Sequence, residues 1–288
     1  MGAQPAARTQ GGRGQHRVIR AGGIRDARAS FRVSAVSNIR IEDISAVRHV
    51  IISRVAQRNA LSSNIYGELG RAFNDAARSS EVRCVVVRGD GPIFSAGNDI
   101  RELAGLATDP AAVRRGRPIM LSAVNALEDM AKPTIAQIHG SCIGGAAELA
   151  LACDLRVMAA DAQIALLETR LGLIPDLGGS SRLPAIVGLG RAKEMVLTAR
   201  PVGADEALRI GLANRVAPFD RLAEVTAELV GELLANGHNA IGLAKRILDA
   251  AAKPALARTL EMEVAAQDSL VRTEDFGHRL RAATTGRG

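Results

Sequence analysis

Aromatic side chains are scarce in this 288-residue chain: five Phe, one Tyr and no Trp, 2% in all. The stacking platforms of sequence-tolerant single-strand nucleic-acid binders are therefore nearly absent, and the core must be packed from Ala, Leu, Ile and Val. Cysteine is equally sparse. Cys84, Cys142 and Cys153 are an odd number at no metal-like spacing, which excludes a disulfide framework and indicates a reducing compartment, and the apolar surroundings of Cys142 and Cys153 read as those of buried thiols. No apolar run reaches the ~18 residues of a membrane span, so a bilayer-embedded protein is excluded. Neither GxGxxG nor GxxxxGK(S/T) occurs in the Gly turns, no Ser sits in a GxSxG elbow, and the five His have no metal spacing.

Acidic residues are missing from one place in particular. Residues 1–36 hold seven Arg against the single acid Asp26, while the remainder has 30 basic and 29 acidic residues. The formal charge of +7 thus belongs to an extension, and a body this close to neutral gives no argument for nucleic-acid binding. The extension is Gly, Ala, Gln and Arg without apolar periodicity, so disorder is expected. Its Arg-rich, acid-poor composition also fits an organelle-targeting peptide, which would place the protein in the mitochondrial matrix instead of the cytoplasm.

From residue 37 on, β-rich runs at 39–44, 48–54, 82–88, 134–139 and 155–158 alternate with helical patterns. Ile65, Leu69, Phe73 and Ala76 recur at helical spacing, and a second helix is expected over about 111–130, ended by Lys132-Pro133. This order predicts an α/β fold with helices packed on a parallel sheet. After Val216 helix follows helix, roughly 221–235, 240–252 and 256 to the end. The expected organisation is an extension over 1–36, a core over 37–220 and a helical region over 221–288, the last packing on its own core or on a neighbouring subunit.

Two Gly-containing turns follow strands. VVVRGDGPIFSAGNDI runs over 85–100, and TIAQIHGSCIGGAAELALACD over 134–154. Gly lets a ligand approach the unpaired N–H groups of a helix start, and two such turns side by side make a two-donor anion site. Gly144-Gly145 is equally explained by tight helix–strand packing. Glu148 stands in an otherwise apolar helical run, where a carboxylate is expensive unless paired or used. Glu168 follows Ala165, Leu166 and Leu167. Two carboxylates in apolar settings can meet at one site and hold a water for acid–base work. Read singly, Glu148 is also explained as a charge at a helix start and Glu168 as a surface partner of Arg170. Asp154 reads as a capping or salt-bridge residue, and His139 as a satisfied strand-end residue.

The segments FSAGNDIREL (94–103), IHGSCIGGAAELALACDLRV (138–157) and AQIALLETRLGLIPDLGGSSRLP (162–184) resemble the enoyl-CoA hydratase/isomerase, or crotonase, family over roughly residues 38–280. The resemblance implies a spiral of ββα units followed by a C-terminal helical trimerisation region, and a homotrimer or a hexamer of two trimers. It implies that the backbone N–H groups of Asn98 and Gly145 form an oxyanion hole for a thioester carbonyl, and that the stretch Ala96, Asp99, Ile100 and Arg101 lines the acyl-CoA channel. Glu148 and Glu168 match the hydratase pair, Glu148 as base and Glu168 as acid. No metal and no separate cofactor are implied, coenzyme A being part of the substrate.

Two departures from the family pattern stand out. Asp176 replaces the Gly of the usual IPG, and an acid there resembles the double-bond isomerases, including those acting on dienoyl-CoA. In RVAQRNAL (54–61) Ala56 stands where a CoA-contacting Lys is common, which leaves Arg58 as the substitute. The expected function is hydration of a trans-2-enoyl-CoA to a 3-hydroxyacyl-CoA, with enoyl-CoA or dienoyl-CoA isomerisation as the alternative. A reading from a different class is an RNA-binding protein that uses the basic extension as a polycation.

Overall fold

A run such as Cys84-Val-Val-Val has no polar face, and its burial on both sides requires neighbouring strands and covering helices. In the computed structural model, which describes residues 38–106, 108–253 and 255–285, that is its environment. The basic stretch 1–36, with the expectations attached to it, lies outside the described residues. The strands are β1 (Ile39–Ile44), β2 (Val47–Ile52), β3 (Cys84–Gly89), β4 (Thr134–Ile138), β5 (Ser141–Ile143), β6 (Leu155–Ala159), β7 (Gln163–Ala165), β8 (Val202–Gly203) and β9 (Arg215–Ala217). Six form one sheet in the order β1-β2-β3-β4-β6-β9. The β1–β2 hairpin is antiparallel, and every later pairing in that sheet is parallel. The sequence marks five of these six strands to within two residues. The short strands β5, β7 and β8 form a second sheet that the apolar pattern does not reveal.

The helices are α1 (Ser63–Arg78), α2 (Ile100–Leu106), α3 (Ala112–Glu128), α4 (Gly145–Ala152), α5 (Gly179–Val187), α6 (Leu189–Thr198), α7 (Ala204–Arg209), α8 (Leu222–Leu234), α9 (His238–Ala252), α10 (Leu256–Leu270) and α11 (Glu274–Thr285). Ser62 caps α1 by accepting the Ile65 amide at 3.4 Å. The α1 face carrying Ile65, Leu69, Phe73 and Ala76 is buried, as its spacing predicts. The single helix expected from 256 onward is instead two, because the chain turns at Val271–Thr273 and Thr273 Oγ1 accepts the Phe276 amide at 3.2 Å.

Helix α8 buries Leu222, Leu229 and Val230 in the main core against β4, β6 and β9, so the first helix of the C-terminal block packs on the chain's own sheet. Helix α10 crosses α3 and α5. A second apolar cluster joins Val113, Leu173, Val271, Phe276 and Leu280, with Ile100 and Leu103 of α2 packed against it. These two contacts put α2, α10 and the loop after β7 around the same region of the fold. Among the described residues, no helix is long and apolar enough to cross a membrane.

Candidate active site

The two Gly turns lie edge to edge because their backbones pair. Ser95 N donates to Ser141 O at 3.0 Å, and Ile143 N donates to Ser95 O at 3.1 Å. Leu61 N and Asp99 N bond Gly97 O and Leu61 O at 2.8 and 2.9 Å, which fixes the backbone on either side of Asn98. The amide of Gly145 opens α4 and has no intrahelical acceptor. Neither it nor the Asn98 amide has an acceptor among the described residues. A Cβ at Gly145 would overlap Asn98 Oδ1 and stand 2.6 Å from Tyr66 Oη, so Gly at this position permits the approach of the two turns. Tyr66, the chain's one tyrosine and fully buried, donates to Asn98 Oδ1 at 2.8 Å.

Glu148 sits at the first turn of α4, 1% exposed. Its Oε1 accepts the amides of Leu177 (2.8 Å) and Gly179 (2.9 Å). Glu168 opens a short 3-10 turn after β7, and the bond from Leu173 N to its carbonyl, 3.0 Å, closes that turn. Both its carboxyl oxygens are shielded from solvent and have no hydrogen-bond partner among the described residues. This excludes a surface pair with Arg170. Asp176, on the loop leading into α5, reaches the same buried region, with Oδ2 3.4 Å from Arg117 Nε.

Burial disfavours the charged form of all three acids, and each also feels its neighbours. Burial, then the charges of Glu168 and Asp176, hold Glu148 well above the usual carboxylate range. Burial, with Asp176 adding to it, lifts Glu168 to about 8. Burial lifts Asp176 to about 7 against the opposing pull of Arg117. Such an interacting set titrates as a unit and retains protons at neutral pH, the state an acid–base site requires.

The other residues marked in the sequence divide. Ala96 N bonds Arg58 O at 3.0 Å, so these two segments adjoin, with the Arg58 and Arg101 side chains exposed. The Asp99 carboxylate is engaged internally, 3.3 Å from Arg54 and capping the Arg101 amide at 3.1 Å, while Ile100 packs on the second apolar cluster. Asp154 is a salt-bridge residue, 3.0 Å from Lys245, and also binds Thr134. His139 Nε2 meets Gly91 O at 2.9 Å. Burial pushes the Cys142 thiol far up, which removes thiolate chemistry there. No group of three or more His, Cys, Asp and Glu among the described residues is arranged to hold a metal ion.

Sequence reasoning missed Tyr66, Arg117 and Glu263. In α10, Glu263 and Gln267 are buried at helical spacing between Leu260 and Val271. Polar residues inside an otherwise apolar stripe were the available signal.

Residues 42–282 match the enoyl-CoA hydratase/isomerase family. The enoyl-CoA hydratase/isomerase YngF of Bacillus subtilis is 36% identical over 235 residues, 81% of this chain and 89% of that protein. The peroxisomal Delta(3,5)-Delta(2,4)-dienoyl-CoA isomerase of Arabidopsis thaliana is 36% identical over 188 residues, 62% of this chain and 68% of that one. The crystal structure of an enoyl-CoA hydratase from Thermobifida fusca in complex with acetoacetyl-CoA superposes with a TM-score of 0.69 at 32% identity, covering 78% of this chain and 93% of that one. The matched span takes in both Gly turns, all three buried acids and the C-terminal helices that close over them, and on it the chain belongs to the enoyl-CoA hydratase/isomerase family.

Proposed function

We propose that this protein hydrates trans-2-enoyl-CoA thioesters to 3-hydroxyacyl-CoA. The observation that carries the reading is the enclosure of Glu148 and Glu168, from separate elements, in one buried site beside the amide pair of Asn98 and Gly145. The thioester carbonyl accepts both amides. Charge then gathers on that oxygen as water adds, and each donor is worth about 3–4 kcal/mol in comparable sites. The two backbone donors on Glu148 Oε1 oppose the burial that raises its pKa, and the reaction needs Glu148 as the ionised member of the pair and Glu168 as the protonated one. Glu148 takes a proton from water as the water oxygen bonds C3, and the C2–C3 π pair moves toward the carbonyl. Glu168 gives its proton to C2, so that one water is added, and proton exchange resets the pair.

The acetoacetyl-CoA bound by the Thermobifida protein supports an acyl-CoA substrate here, and Arg58 and Arg101 are the exposed cations beside the turn for its phosphates. The outward face of α9, with Leu243, Ile247 and Leu248 exposed, supports a homotrimer or hexamer.

One observation favours a second reading. Asp176 lies buried with the pair, and the Arabidopsis relative is a dienoyl-CoA isomerase, so proton transfer between carbons by Asp176 and Glu168 is the alternative. Absorbance with crotonyl-CoA and with a 3,5-dienoyl-CoA separates the two. Hydration bleaches the 2-enoyl thioester. Conversion of the dienoyl-CoA alone would replace the first reading by the second.

A further inference from the structure

The turn from Leu177 to Ser180 donates alternate amides to two different acids. Leu177 and Gly179 point to Glu148, while Gly178 (2.9 Å) and Ser180 (3.2 Å) point to Glu263 of α10. This is the start of α5, where unpaired amides and the helix dipole favour negative charge. The opposite side of the turn is held by the buried Arg182, which donates to Leu177 O at 2.6 Å. Arg117, only 5% exposed in α3, closes the arrangement. Its guanidinium lies 3.3 Å from Glu263 Oε2 and 3.4 Å from Asp176 Oδ2, and it also donates to Leu260 O at 3.2 Å.

An arginine out of solvent among acids is costly unless its charge is matched, and removing it leaves an uncompensated buried anion. Asp176 is faced by Arg117 from α3, Glu263 from α10, Glu148 from α4 and Glu168 from the turn after β7, with the Tyr66 phenol of α1 nearby. Of these groups Arg117 alone is positive. We infer that Arg117 is a positioning residue for the reaction: it keeps negative charge on Asp176 and Glu263 and, through Glu263, holds the turn that orients Glu148. The catalytic part of this inference rests on the hydratase reading, whereas its electrostatic part does not.

Arg117 links the site to the C-terminal helices as well. Because the Glu263 clamp reaches the turn from α10, the folded position of that helix sets the aim of Glu148 in α4.

The test uses the full chain and the variants Arg117→Gln, Arg117→Lys and Arg117→Gln/Asp176→Asn. In free protein carrying 13C-carboxyl aspartate, Asp176 titrates near pH 7 in the wild type, and the Gln variant moves it up by about one unit or more. The Lys variant restores most of the wild-type position. In kcat/KM for crotonyl-CoA, a neutral Asp176 no longer raises Glu168, so the alkaline limb of the profile shifts to lower pH in Arg117→Gln and stays in place in Arg117→Lys. Unchanged titration and profile in Arg117→Gln, or a Lys variant as impaired as Gln, overturns the inference. If Arg117→Gln fails to fold, the double variant and its counterpart Arg117→Gln/Glu263→Gln decide: a recovered folded state in either supports charge balance, and recovery in neither contradicts it. Titration shifts without turnover of any enoyl-CoA would sink the hydratase reading and leave the electrostatic role of Arg117 standing.

Discussion

Gly179 and Glu148 touch so closely that no other residue fits between them. The Gly179 amide donates to Glu148 Oε1 at 2.9 Å, and a Cβ at Gly179 would stand 2.8 Å from the same oxygen and 2.9 Å from the Pro175 Cβ. Gly179→Ala must therefore turn the Glu148 carboxyl aside. A misplacement of about 1 Å costs on the order of 10²-fold in rate, so kcat should fall by that much while circular dichroism is unchanged. A fully active Gly179→Ala enzyme would disprove the link between the turn and the base.

Glu148→Gln keeps the acceptor that the Leu177 and Gly179 amides require and loses the base. Hydration should drop by about 10²–10⁴-fold. Calorimetric binding of a non-reactive acyl-CoA should be unaltered, because the amides that grip the carbonyl are untouched.

The amide pair has its own test. A methyl at Gly145 would overlap Asn98 Oδ1 and crowd Tyr66, driving the two turns apart. Loss of one donor in such a site costs about 10²–10³-fold in kcat. Gly145→Ala should show that loss together with weakened binding, in contrast to Glu148→Gln.

Protein stability should depend on pH through Glu168. Its carboxyl ordinarily titrates at 4.5 and in the folded protein at about 8, so between these values the folded state holds a proton the unfolded state has released. The contribution is fully present below pH 4.5 and is lost as pH rises through about 8. Asp176 acts in the same direction between 3.8 and about 7. Each such group lowers stability by up to about 1.4 kcal/mol per pH unit within its window. Melting temperatures should fall from pH 5 to pH 8 in the wild type (on the order of several degrees), with a shallower slope in Glu168→Gln. Equal slopes would mean that Glu168 is not buried as a neutral acid.

The inner strands were legible in the sequence through apolar runs that fill both sheet faces, and the largely exposed β1 through the alternation of Ile39 and Ile41 with the polar Arg40 and Glu42. Val85-Val86-Val87 cannot be mistaken for anything exposed, whereas β8 is two residues long and owes its existence to pairing with β7. Glu148 was legible because it interrupts an apolar helix. Asp176 was legible only as a departure from a family pattern. Arg117 was not: it sits among Arg114 and Arg115, both exposed, and nothing local separates an inward guanidinium from two outward ones. Its partners lie 59 and 146 positions away, so its role is a property of the fold. The break between α10 and α11 is similar, since Val271 and Phe276 both read as helix core and only the Thr273 cap divides them.

The central claim is that Glu148 and Glu168 add one solvent molecule across a double bond. Incubation with crotonyl-CoA in H₂¹⁸O, followed by mass spectrometry of the thioester, tests it directly. The account requires one ¹⁸O in the 3-hydroxybutyryl product, formed by the wild type and lost in Glu148→Gln and Glu168→Gln. Unlabelled thioester whose double bond has only moved, or labelling that survives both substitutions, contradicts it.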